Sequence, residues 1–329
     1  MKNKLYTREQ VIEFIKEGRV MHLCGSEQIL SGLPKGQWIA GMTPYFMDSV
    51  GKICNDKIYV DDFSHFAEDV EITMMDESEI HEIATRNRFQ NGFIFVILPL
   101  ESPVYYEFSL HSLEFDKIYD NPVVGYVSSC LFENYGKEKP KVAVGNDTVL
   151  TNEKAAVMYI KMSDRLRVRA EIINLDTIDK DSPTIKFPKT SFVQSDCLID
   201  GKQSNIAHYL AEVKSKIGHY PQLISSQNGA LVNRDIKFVD TERGIVSFFS
   251  PAYETDLYYL VRQNDNYQLA FNQNLKDKRD IIACFSCTSY FLLGDFQYKN
   301  INFNGVYTFG EIGYQLLNKT IVTLEIDIA

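Results

Sequence analysis

Hydrophobic positions recur along the chain with two periods, and the switches between them set the expected elements. Thr7 followed by REQVIEFIKEG places Val11, Ile12 and Ile15 on one face and Gly18 at the end, the pattern of an N-capped amphipathic helix lying on a sheet. Short apolar runs at 20–24 (VMHLC), 37–43 (QWIAGMT), 57–63 (KIYVDDF) and 70–76 (VEITMMD) read as strands, and ESEIHEIATRNRF (77–89) reads as a helix. The run FIFVILP (93–99) is continuously apolar yet short, which fits a strand buried on both faces. A helix around 102–114 and the strand PVVGYVSSC (122–130) complete an alternating first half of mixed α/β type.

From 140 to 200 the pattern turns to antiparallel strands, KVAVGN, AAVMYIKM and RLRVRAEIINL, separated by turn residues. The polar stretch DTIDKDSPTIKFPKT (176–190) carries two prolines and sets the expected division into lobes 1–185 and 186–329. Ser204 is the expected cap of a second helix, NIAHYLAEVKSKIG, with Ile206, Leu210, Val213 and Ile217 at helical spacing and Gly218 as its stop. Strands are expected at 222–226, 235–239, 244–249 and 257–262, then over IIACFSC and 306–309. In the terminal strand Val322, Leu324 and Ile326 face inward, with Thr323 and Glu325 outward. The expected class is α/β (α+β), two-lobed, with mixed β-sheets covered by helices.

Composition narrows the partners. The chain has 329 residues, enough for about two domains of ~150 residues, and is 45% hydrophobic. A formal charge of −10 argues against nucleic acid, which demands clustered Lys and Arg. The start MKNKLYTREQ has no apolar stretch behind it, because Glu13, Lys16, Glu17 and Arg19 interrupt VIEFIKEGRV, and the longest apolar run falls far short of the ~20 residues of a membrane-spanning helix. The expectation is a cytoplasmic protein with neither membrane nor nucleic acid as partner. Six scattered cysteines fit reduced thiols rather than disulfides.

No complete catalytic signature is present. Period two turns Cys284 and Cys287 to opposite faces of one strand, so they do not converge as a zinc knuckle. His22, beside Cys24 in an apolar strand, is the best candidate haem or metal ligand, against a commoner reading as a hydrogen-bonded core histidine. His65 follows Asp61 and Asp62 in a polar loop, and His81 lies between Glu79 and Glu82 on a solvated face. In QNGALVNRD, Asn228 and Gly229 favour positive φ and put Asn233 and Arg234 near a loop mouth, which suits a polar ligand or a plain hairpin equally. Glu311 has no carboxylate neighbour in sequence for acid–base work, and Cys287 as nucleophile would need His208 or His219 brought close. An enzyme is therefore not the leading expectation.

The segment CFSCTSYFLLGD, followed by GVYTFGEIGYQLLNKTIVTLEI, resembles the C-terminal module of FIST proteins; LPKGQWIAGMTPYFM resembles the start of a bacterial FIST-related subgroup, and NGALVN the loop that opens the C-terminal module. The family pattern falls on Phe285, Cys287, Tyr307, Thr308, Gly310, Glu311, Asn318 and Thr320. Thr288, Ser289 and Tyr290 stand where the family often has an arginine, which removes a guanidinium clamp for an acidic group. The resemblance implies a sensory, signal-transducing protein that binds a small polar metabolite such as an amino acid in a cleft between lobes and acts through a signalling protein partner. The expected ligand residues are Thr43, Tyr45, Asn228, Gly229, Asn233, Cys287, Thr308, Gly310 and Glu311, with no cofactor. Two alternatives stand beside it: a cysteine-dependent enzyme using Cys287, and a haem-binding gas sensor using His22 or Cys24.

Overall fold

Thr7 and Gln10 start the first helix reciprocally. The Gln10 N–H donates to Thr7 Oγ1 at 3.4 Å, and the Thr7 N–H donates to Gln10 Oε1 at 2.9 Å, which opens the helix Arg8–Lys16. Its Val11 and Ile15 are buried against Met21, Leu23, Trp38, Ala40 and Val60 on one face of a sheet. The computed structural model describes residues 4–227, 229–276, 278, 280–301 and 304–328. It is mixed α/β of the α+β kind, and the chain divides into two compact units.

The first unit comprises the described residues of 1–172, 268–316 and 321–329. In its five-stranded sheet Met21–Gly25 lies between Ile58–Asp62 and Trp38–Met42, parallel to the latter from Met21↔Trp38 to Gly25↔Met42. Because strand side chains alternate, the helix side receives Met21 and Leu23, and the opposite face carries His22 and Cys24. A second sheet sets Gly92–Leu98 parallel to Val123–Val127, which pairs on its other side with Glu311–Gly313. Gly92–Leu98 is buried at every position, as its continuous apolar run requires. In a third sheet Ile281–Cys287 lies between Ile321–Ile328 and Gly305–Thr308, and Gly305–Thr308 pairs in turn with Tyr45–Met47.

Three local expectations change. The helix expected over 77–89 shrinks to a single 3-10 turn, Ile80–Glu82. Asp76 accepts from the Ser78 N–H and Asn87 Oδ1 from the Phe89 N–H, so side chains take a backbone donor near each end of the segment, while Arg86 pairs with the Glu79 and Glu82 carboxylates. The strand expected over 306–309 ends at Thr308, where the chain changes sheet, with Gly305–Thr308 in the third and Glu311–Gly313 in the second. Thr323 and Glu325, expected outward, are buried at 0% and 2% exposure. Glu325 is satisfied there by Lys278 (2.9 Å), Arg169 (2.8 Å) and the Thr323 hydroxyl (2.7 Å). Burial opposes its ionisation, but these partners outweigh it and hold its carboxyl at about 2.

The second unit comprises the described residues of 173–267 and 317–320, so the expected boundary at 185/186 falls inside it and the chain enters it twice. Its helix Ile206–Ile217 is capped by Asn205 rather than Ser204; the His208 N–H donates to Asn205 Oδ1 at 3.1 Å, and Gly218 at φ 87° ends the helix. Ile206, Ala207 and Leu210 pack with Leu223, Val246, Phe248 and Tyr258. The unit also holds a buried charge cluster. Asp176 Oδ1 accepts from the Asn264 N–H (3.0 Å) and the Tyr267 hydroxyl (2.8 Å), and Oδ2 from Asn233 Nδ2 (3.1 Å) and Lys319 Nζ (2.9 Å). Asp235 sits near the same ammonium with its Oδ1 closed to solvent and without a hydrogen bond. Burial pushes its carboxyl up to about 6 from 3.8, against the pull of Lys319 and with the help of Asp176.

The folded state therefore keeps a proton on Asp235 up to about pH 6, whereas the unfolded chain releases it near 3.8. Stability from this group is complete below that lower value and is lost as pH rises through 6, by at most roughly 3 kcal/mol. Asp235→Asn is expected to remove this loss and to be more stable than the wild type at pH 7–8, as measured by urea denaturation between pH 4 and 8.

Candidate functional site

Six of the nine expected ligand residues come together in the first unit from opposite ends of the chain. Tyr45 lies opposite Tyr307, and Thr308 opposite Cys287, in neighbouring ladders of one sheet. The Thr43 hydroxyl donates to the Tyr307 carbonyl at 2.6 Å and accepts from Ser129 Oγ at 2.9 Å. Tyr45 accepts from the Phe132 N–H through its hydroxyl at 2.8 Å. The Gly310 carbonyl receives the Val127 N–H (2.8 Å) and the Thr308 hydroxyl (3.1 Å). Glu311 pairs across the strands with Tyr126, which puts both side chains on one face, and it is fully buried rather than at a cleft edge. Cys287 is 6% exposed and precedes the short helix Thr288–Leu293.

The remaining three do not belong to that group. Gly229, in the second unit, has the positive φ (88°) its turn calls for. Asn233 is within the strand Ala230–Arg234, fully buried and bonded to Asp176 and Asn174, so it is a part of the charge cluster and not of a loop mouth. Asn228 lies outside the described residues.

Beyond the carboxyl ends of the parallel strands Met21–Gly25 and Trp38–Met42 there is a cavity of about 300 Å³. Open sheets place ligands at such ends, where successive strands leave the sheet and their loops diverge. Thr43 lines it with Ser26, Gln28, Asn55, Ser129 and Asn134, and Glu27 and Glu138 supply carboxylates. Lys141 Nζ, 2.5 Å from Glu27 Oε1, compensates one of these charges, and Glu138 accepts from Asn134 Nδ2 at 3.2 Å. A wider cleft of about 670 Å³, lined by Asp76, Glu101, Lys139, Glu153 and Lys154 among others, shares Glu138.

Below the strand ends, on the sheet face opposite the first helix, four polar side chains interlock. Asp61 Oδ2 lies 2.9 Å from His22 Nδ1, and His22 Nε2 lies 3.0 Å from Cys24 Sγ and 2.9 Å from the Tyr126 hydroxyl. Cys24 Sγ and the Tyr126 hydroxyl are themselves 2.9 Å apart. Lys4 Nζ reaches Asp61 Oδ1 at 2.5 Å. His22, Cys24 and Tyr126 are 0% exposed. Burial lowers the His22 pKa despite Asp61, and burial raises the Cys24 thiol well above its usual value, helped by Asp61 and opposed by Tyr126. Burial would also raise Asp61, but Lys4 and His22 prevail and lower it. The ground state is thus thiol, neutral imidazole and carboxylate, with the Nδ1 proton donated to Asp61 and Nε2 left to accept. Both ring nitrogens of His22 are engaged within this group. Among the described residues no group of three or more His, Cys, Asp or Glu is placed to hold a metal ion, and no helix is long and apolar enough to cross a membrane.

Sequence reading found His22, Cys24 and Thr43 but missed Ser129, Asn134 and Tyr126, and it linked Asp61 to His65 instead of His22. A usable signal was there: His22 and Cys24 are alternate residues of one strand, and a polar pair on a single buried face asks for polar partners. Gly41 makes room for this group, because a Cβ there would stand 2.6 Å from the Tyr126 hydroxyl and 2.7 Å from Ile97 Cγ2. Gly41→Ala is accordingly expected to destabilise the protein by about 1–3 kcal/mol, read as a lowered urea midpoint at unchanged slope.

Comparison with curated proteins gives no match. The match to a family covers residues 6–327, both units included, and on it the chain belongs to DUF6976, a family of unknown function.

Proposed function

We propose that this protein is a non-enzymatic sensory protein of the cytoplasm that binds a small polar metabolite bearing an amine, such as an amino acid, and passes the bound state to a signalling partner. The observation that carries the reading is the 300 Å³ cavity at the ends of the parallel strands. Its volume is at the lower end of ligand sites, about the scale of a single metabolite. Hydroxyl and amide groups from Ser26, Gln28, Thr43, Asn55, Ser129 and Asn134 offer both donors and acceptors, and Glu138 supplies a carboxylate for an amine. The resemblance to FIST modules supports the same class of role. Thr43 belongs to both arguments, and through its bonds to Tyr307 and Ser129 it joins the cavity to the third sheet, a route by which an occupied cavity can alter a surface.

A Cys287 enzyme has less support, since the thiol held at 3.0 Å from an imidazole is that of Cys24.

A thermal-shift screen of amino acids and small amines tests the proposal. A ligand at a hundred times its Kd stabilises by about 2.7 kcal/mol. Glu138→Lys is expected to abolish the shift, and Glu153→Lys, which alters only the wider cleft, to retain it. Absence of any stabilising amine, or a shift of equal size in Glu138→Lys, would reject the reading.

A further inference from the structure

We propose that Cys24 is the oxidisable centre of a thiol–imidazole–carboxylate relay, a second site, separate from the cavity, that takes a small uncharged hydroperoxide. The relay has the order that nucleophile activation needs: Asp61 orients His22 through Nδ1 at 2.9 Å, and Nε2 faces the thiol at 3.0 Å. Lys4 keeps the carboxylate in place from the far side. These residues come from strands far apart in sequence, so the fold, not local geometry, assembles them.

A buried hydroxyl beside the relay has unused hydrogen-bonding capacity. Tyr59 is the antiparallel partner of Cys24, which places it on the same sheet face, and its hydroxyl has no hydrogen bond. Buried polar groups are ordinarily satisfied, so an unmet hydroxyl beside a base-linked thiol is a place for a small polar molecule. The enclosure selects the reagent: a charged or bulky electrophile must strip its hydration and move packed rings, whereas hydrogen peroxide is little larger than water and uncharged.

In the reaction Cys24 Sγ attacks one peroxide oxygen, the S–O bond forms and the O–O bond breaks. The thiol proton passes to His22 Nε2 and on to the departing oxygen, which leaves as water. Sulfur is oxidised by two electrons to the sulfenic acid and the peroxide is reduced by two. The added oxygen must lodge among atoms only 2.9–3.0 Å apart, so Tyr126 and the Phe285 ring stacked on it at 5.5 Å have to shift.

Cys284 is an internal control: equally buried, in the same unit, with no imidazole in hydrogen-bonding distance among the described residues. The wild-type protein is exposed to graded hydrogen peroxide, quenched with catalase, unfolded and alkylated with iodoacetamide, and each cysteine is quantified by peptide mass. Cys24 is expected to oxidise about a hundredfold faster than Cys284, the lower range of what a positioned base contributes. In His22→Asn, verified as folded by circular dichroism, the ratio is expected to approach one. Equal rates for Cys24 and Cys284 in the wild type overturn the proposal, as does a Cys24 that stays reduced while Cys284 is consumed; the wild-type comparison decides even if the variant does not fold.

Discussion

The first unit depends on one short ladder, the antiparallel pairing of Tyr45–Met47 with Gly305–Thr308. It joins Tyr45–Met47 and, beyond them, Gly51–Ile53 from the start of the chain to the strands Ile281–Cys287, Gly305–Thr308 and Ile321–Ile328 from its end. Without that pairing Gly305–Thr308 would be an edge strand with half its backbone groups unpaired, and Thr43 would lose the Tyr307 carbonyl that fixes its hydroxyl. Through Ser129 the same hydroxyl ties in the segment after Val123–Val127. One local union of distant segments thus positions both the cavity rim and the strand that carries Glu311.

Between the sheets of this unit the interior is polar to an unusual degree. His22, Asp61, Thr308 and Glu311 are each at most 1% exposed, and His22 lies against the rings of Phe95, Tyr126 and Phe285. An apolar filling of the same volume would be easier to stabilise, since each buried polar group must recover its lost hydration through well-aligned partners. The Lys4–Asp61–His22–Cys24 sequence does this by handing charge compensation inward from a partly exposed ammonium to a fully enclosed thiol. Its arrangement tolerates little movement, because each group serves two neighbours and a displaced one leaves another unsatisfied.

Periodicity revealed most of the elements and little of their neighbourhood. Arg8–Lys16 and Ile206–Ile217 announce themselves by apolar spacing and glycine stops, and Gly92–Leu98 by its unbroken apolar run. The 77–89 segment has helical spacing but keeps only the turn Ile80–Glu82, with the Ser78 and Phe89 N–H groups taken by Asp76 and Asn87, a competition that hydrophobic pattern does not encode. Thr323 and Glu325 alternate like surface residues, yet both are buried, with Glu325 paired to Lys278 and Arg169 and accepting from the Thr323 hydroxyl. Candidate residues were legible wherever type and spacing coincided, as for His22 with Cys24. Ser129, Asn134 and Tyr126 gain their roles only from the strand order, and Asn233 lost its expected place because its partner, Asp176, is remote in sequence.

The double entry of the chain into the second unit has a consequence for biosynthesis. Lys319, which compensates the buried Asp176, leaves the ribosome long after residues 173–267, so the rest of the unit must wait with an uncompensated carboxylate in its core. The terminal strand Ile321–Ile328 then follows at once to fill the interior of the third sheet. Late synthesis of a few residues therefore completes both units nearly together, and a nascent or C-terminally clipped chain holds two unfinished cores that chaperones and proteases can recognise.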